Sequence, residues 1–226
     1  VDGHFTSEYG ISIVRGVDQL AVAFNLQSIR ISRDLIALGV RLKRIEGPIK
    51  FSQPVMPEDT MVISPSNLSK DALTGDSEII VDGSIATSIK GIEFEAVDTS
   101  SYNDLMQAEY IKPILIEAGA QTAVADFLYR RDFQLPAEQA KGDFLVYAGI
   151  RGPIEFYEDV LPGGTAEIHL TKDSQDPNLA DVTVWVDGRK VASILGNVCA
   201  VGNRERTRQL IDRVVQRRRA RVQLSS

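Results

Sequence analysis

Two stretches of the chain are apolar on nearly every side, ISIVRGVDQLAVAFNLQ (11–27) and PILIEAGAQTAVADFLY (113–129). At helical spacing this leaves no broad polar face, so both are expected to be helices wrapped by a sheet rather than lying on a surface. Pro113 suits the first turn of the second, where its missing N–H costs nothing. Behind each helix the pattern changes to β-type. Glu78-Ile79-Ile80-Val81 and Asp181-Val182-Thr183-Val184-Trp185-Val186 read as strands, each closed by Val-Asp-Gly. Asp-Gly tolerates positive φ, so Asp82-Gly83 and Asp187-Gly188 are expected to be hairpin turns with a structural role only. His169, in the alternating stretch AEIHL (166–170), reads as a structural strand residue.

The two helix-plus-strand blocks are copies of one plan. GPIKFSQPVMPEDT (47–60) and GPIEFYEDVLPGGT (152–165) share seven of fourteen positions without a gap, at an offset of 105. The same offset carries Val81-Asp82-Gly83 onto Val186-Asp187-Gly188. An internal repeat of this length fixes the architecture before any single residue does. The expected class is α+β: two units, each a helix followed by an antiparallel sheet that curls around it, packed about a pseudo-twofold axis as two subunits of a dimer would be. The boundaries are expected at 1–98, 99–202 and a basic tail at 203–226.

Composition narrows the function classes. With 43% hydrophobic and 25% charged residues the chain is of soluble globular type. No run of about 18 apolar residues is present, so no membrane span is expected, and no signal peptide is visible. One cysteine, Cys199, can form no internal disulfide, which suits a reducing cytoplasm. Two histidines and one cysteine are too few for a His/Cys zinc cluster. The net charge of −6 is unevenly spread: residues 203–221 carry eight arginines against Glu205 and Asp212, a local +6 that leaves −12 elsewhere. The tail reads as a solvated helix with a short apolar stripe of Leu210, Ile211, Val214 and Val215, or as a docking surface for an acidic partner such as an acyl carrier protein. Nucleic acid is the poorer match, because the rest of the chain is acidic and few aromatics interleave with the arginines.

A few polar residues stand out against the apolar helices. Glu117 and Gln121 are four apart and share one face, whereas Asp126 falls on the opposite side and is expected to face solvent. The pair reads either as a partly exposed one near the helix start, where a carboxylate suits the dipole, or as functional. Aligning Gln19 with Gln121 puts Arg15 opposite Glu117; aligning SEY (7–9) with AEY (108–110) puts His4 opposite Leu105 or Met106. The first half then has a histidine and no helical carboxylate, and the second the reverse. One composite site with a decayed symmetry mate would leave this pattern.

These residues resemble a known family. His4-Phe5 followed by Gly10, then Glu117-Ala118-Gly119-Ala120-Gln121, is similar to the motifs of FabA/FabZ-type 3-hydroxyacyl-(acyl carrier protein) dehydratases. The block 47–60 looks like their I-x-F-x-x-P-V-x-P-G-D strand-turn-strand. Gly10 lies nine residues before Gln19, as the family's helix-start glycine does, while the corresponding residue of the second half is Lys112. The resemblance covers the chain up to about residue 200. It implies two tandem hotdog folds in one chain, as in the dehydratase domains of polyketide and polyunsaturated fatty acid synthases. It further implies an active site with His4 from one hotdog and Glu117 from the other.

The implied reaction is dehydration of a 3-hydroxyacyl thioester to the trans-2-enoyl thioester, in fatty acid or polyketide-type biosynthesis. His4 would take the α-proton, near its natural titration range. The Gly10 amide at a helix N-terminus would stabilise charge on the thioester oxygen. Glu117 would protonate the departing β-hydroxyl, with Gln121 orienting it or the leaving water. No metal or cofactor is required. The substrate would arrive on acyl carrier protein or as acyl-CoA, to a homodimer or to a part of a larger synthase. Two rivals remain: a hotdog thioesterase, which needs the carboxylate but not His4, and a non-catalytic acyl-binding module.

Overall fold

The computed structural model describes residues 16–32, 38–98, 102–130, 143–172, 176 and 178–203, with Glu205, Gln209, Asp212 and Gln216 beyond them. Helix α1 (Gly16–Ser32) is followed by strands β1 (Leu38–Ile45), β2 (Ile49–Phe51), β3 (Val62–Ser69), β4 (Thr74–Val81) and β5 (Ser84–Asp98). Helix α2 (Tyr102–Arg130) is followed by β6 (Asp143–Ile150), β7 (Ile154–Phe156), β8 (Ala166–Lys172), β9 (Leu179–Val186) and β10 (Arg189–Asn203). Strands β6, β7, β9 and β10 reproduce β1, β2, β4 and β5 residue for residue at the offset of 105. The architecture is the expected α+β class: two helices with a large antiparallel sheet wrapped around them.

All ten strands belong to one sheet, and every pairing is antiparallel. Strands β1 and β2 run as one broken line along β5, and β6 and β7 do the same along β10. The two broken lines pair with each other, Ile45 opposite Ile154 and Ile49 opposite Ile150. Gly47 and Gly152 face each other at the centre of this seam, with φ of +84° and +86°. A Cβ on either would strike the backbone of the other repeat, at Arg151 O or Glu46 O. Both the backbone conformation and the close approach therefore require glycine here. The shared GPI motif is the pseudo-twofold axis itself.

The symmetry extends to side chains that the sequence comparison did not reach. Asp76 accepts a hydrogen bond from the Gly91 N–H at 2.8 Å, and Asp181 accepts one from the Gly196 N–H at 2.7 Å. Burial alone would raise the Asp76 carboxyl, but the bonds from Gly91, Asn67 and Lys90 outweigh it and hold the group below its usual range. The expected hairpins are present: Asp82 and Gly83 have φ of +56° and +73°, and Asp187 and Gly188 have +51° and +73°. One apolar core joins the halves, with Leu20, Phe24 and Ile79 continuous with Ile116, Val182 and Ile194.

Three expectations are corrected. Helix α2 begins at Tyr102, so Pro113 lies inside it rather than in its first turn. Asp126 is not the solvent-facing residue of α2; it is half-buried, and Gln121 is exposed. The two glutamines are not counterparts. Gln19 is buried and accepts a hydrogen bond from the Thr87 hydroxyl. The burial pattern instead matches Val17, Leu20 and Phe24 with Ala120, Ala123 and Phe127, an offset of 103. Gln19 thus corresponds to Thr122. In the tail, Glu205, Gln209, Asp212 and Gln216 are helical and exposed, and the stripe expected at 210–215 otherwise lies outside the described residues.

Candidate active site

Glu117 sits mid-way along α2, half-buried, and its Oε1 accepts a hydrogen bond from Gln121 Nε2 at 3.0 Å. The structure therefore brings together the pair expected from their spacing. Close enough to Glu117 for its charge to act on it is a small polar layer contributed by the sheet. Tyr147 on β6 donates its hydroxyl proton to Asn197 Oδ1 on β10 at 2.8 Å. Asn197 is fully buried, and its Nδ2 donates to Ala180 O at 3.0 Å and Ile194 O at 3.2 Å. Two carbonyls can only accept, so the carboxamide has one orientation and its oxygen must face Tyr147. Burial pushes the Tyr147 phenol well above its usual range, and the nearby Cys199 and Glu117 add to the shift. Tyr147 is a neutral phenol at any physiological pH.

Tyr147 also ties this layer to the other half of the chain. Its ring packs at 6.5 Å from Phe51 of β2, across the seam. Gly16, the first described residue of α1, lies on the Phe51 ring; a Cβ there would come within 2.9 Å of it. The start of α1 and the middle of α2 thus border one corner, formed by Phe51 and Tyr147. His4 and Gly10 lie outside the described residues.

The symmetry-related corner is built differently. At the offset of 105, Tyr147 corresponds to Leu42, Asn197 to Ile92, Cys199 to Phe94 and Phe51 to Phe156. The polar layer is replaced by aliphatic and aromatic side chains, all buried. A buried ion pair from α2 closes this corner. Lys112, 3% exposed, bonds to Glu109, donates to Leu42 O at 2.7 Å and lies 3.5 Å from Asp159. Its ammonium stands 5.5 Å over the Phe156 ring. Glu109 Oε2 accepts from Leu42 N–H at 3.0 Å, so both backbone groups of Leu42, next to a break in the β1–β5 register, are satisfied by one helical turn. Burial drives the Glu109 carboxyl upward against the pull of Lys112.

Tyr147, Asn197 and Glu109 were missed by motif reading. A position-by-position comparison of the repeats finds the first two, because a phenol and an amide replace two apolar residues on otherwise matching strands. His169 is exposed on β8, 3.4 Å from Glu167 and 5.9 Å from the Trp185 ring, consistent with a structural strand residue. Cys199 is a buried thiol. Among the described residues no group of three His, Cys, Asp or Glu could hold a metal ion, and no helix is long and apolar enough to cross a membrane.

No protein-family model and no curated protein matches the sequence. Solved structures do match. The dehydratase domain from the CurJ module of the curacin polyketide synthase is 15% identical, with a TM-score of 0.51 over 87% of this chain and 86% of that one. An acyl-ACP thioesterase from Bacteroides thetaiotaomicron is 11% identical, with a TM-score of 0.50 over 81% and 90%. At these identities the likeness is one of fold, the hotdog fold, and it spans most of each chain.

Proposed function

We propose that this chain is a double-hotdog dehydratase of the FabA/FabZ type, acting on 3-hydroxyacyl thioesters carried by acyl carrier protein or coenzyme A. The observation that carries the reading is the asymmetry of the two corners. One has a half-buried carboxylate over a polar layer and adjoins the start of α1; its symmetry mate is filled by the Lys112–Glu109 pair. A single chain in which one corner keeps a carboxylate over polar groups and the other is filled by an ion pair fits a site drawing its base from one half and its acid from the other.

In this reading His4 removes the α-proton, and the electron pair left behind forms the Cα=Cβ bond. The Cβ–O bond breaks as Glu117 delivers its proton to the departing oxygen, which leaves as water. The Gly10 amide holds the thioester oxygen while charge builds on it. Gln121 fixes the Glu117 carboxyl through Oε1, leaving Oε2 for the proton. His4 lies twelve positions before Gly16, a contour of up to about 40 Å, which lets it reach the corner.

A thioesterase would use the same carboxylate to activate water, and the structural likeness to an acyl-ACP thioesterase favours that reading to the same degree. The products separate the two. Incubated with a 3-hydroxyacyl pantetheine thioester, the chain is expected to yield the 2-enoyl thioester with no free thiol. Free thiol and hydroxy acid would replace the dehydratase by the thioesterase; unchanged substrate would leave an acyl-binding module.

A further inference from the structure

We infer that Tyr147 is the residue that recognises the substrate's β-hydroxyl, as an acceptor and not as a donor. The inference rests on the reading above for the identity of the substrate, and on geometry for the role. Asn197 can present only its oxygen to Tyr147, because its two amide protons are held by Ala180 O and Ile194 O. The phenol proton is therefore committed to Asn197. With its proton so placed, what the Tyr147 oxygen has left to offer a ligand is a lone pair.

That arrangement is informative because the phenol lies within the electrostatic reach of the Glu117 carboxylate, to which a phenol could otherwise donate. Here the proton is pulled to the sheet instead, so the phenol oxygen is left to accept. A β-hydroxyl has one proton to give and two lone pairs to receive with. If its O–H points to Tyr147, its lone pairs are free to take the proton that Glu117 delivers, and the Cβ–O bond is aimed at the acid. A saturated acyl chain offers no such proton, and neither does the enoyl product. Tyr147 would thus favour the hydroxyacyl thioester over its own product. The first half has Leu42 at this position and Ile92 in place of Asn197, so the symmetry-related corner lacks the device.

The test compares equilibrium binding of three stable pantetheine amides to the whole chain: 3-hydroxyacyl, 3-fluoroacyl and saturated acyl, matched in length. The wild type is expected to bind the 3-hydroxy compound about tenfold more tightly than the other two. Tyr147→Phe, which keeps the ring against Phe51, is expected to abolish most of that preference and to leave the saturated compound within about twofold. A merely structural tyrosine would weaken all three alike, and that result overturns the proposal. Equal wild-type binding of the 3-fluoro and 3-hydroxy compounds overturns it too, without any variant, since fluorine cannot donate. A wild type that shows the preference and loses it in Tyr147→Phe, yet makes no enoyl product, supports Tyr147 and counts against dehydration alone.

Discussion

Glutamine in place of Glu117 is expected to lower kcat for dehydration by about a thousandfold, within the range found for removal of a positioned general acid. The substitution keeps the shape of the side chain and leaves an amide oxygen for Gln121 Nε2. It removes only the proton that the departing hydroxyl needs. Glu117 is only half-buried, mid-way along α2, so the melting temperature should move little. A variant retaining more than a tenth of wild-type turnover, with the fold intact, would remove Glu117 from the chemistry.

The largest effect on stability is expected at the opposite corner. Alanine at Glu109 strips a buried ammonium of its closest anion and Leu42 N–H of its acceptor, leaving Lys112 with Leu42 O and with Asp159 at 3.5 Å. An uncompensated buried charge costs several kcal/mol, and about 3 kcal/mol is expected from urea denaturation. Glu109→Gln should cost less, because it still accepts from Leu42. Replacing both partners, Glu109→Leu with Lys112→Met, should recover most of the loss, as apolar substitutes for a buried pair commonly do. A cost below about 1 kcal/mol for the alanine would mean that Asp159 and water carry the ammonium.

The repeat made most of the fold legible. Glycine, proline and isoleucine at 47–49 and 152–154 are shared because both sets lie on the axis, where each repeat's backbone touches the other's. Helix limits were less legible. Pro113 reads as a first-turn residue by its local chemistry, but α2 continues through it. An interior proline costs about 3 kcal/mol locally. The turn ahead of it is anchored to β1 through Glu109 and Lys112, and such tertiary bonds are invisible to a local reading. The pairing of Gln19 with Gln121 failed for a related reason: identical residues suggested one alignment, and burial imposes another, one residue away.

The site was legible in part. Spacing alone put Glu117 and Gln121 on one face. Tyr147 and Asn197 carry no motif, yet each stands where the first repeat has an aliphatic side chain. A polar residue on an apolar position of a repeat marks a place where the two halves have taken different roles. His4 is 113 residues from Glu117, and no spacing rule connects them. Only the motif resemblance and the complementarity of the halves do.

The most direct test of the composite site is therefore a cycle of His4→Ala, Glu117→Gln and the double variant, read as single-turnover rates of enoyl thioester formation. Residues that act as one unit are far from additive. Each single variant is expected to lose at least about a hundredfold, and the double to be about as slow as the slower single. Wild-type turnover in His4→Ala, with activity still lost in Glu117→Gln, would contradict a site shared between the two halves.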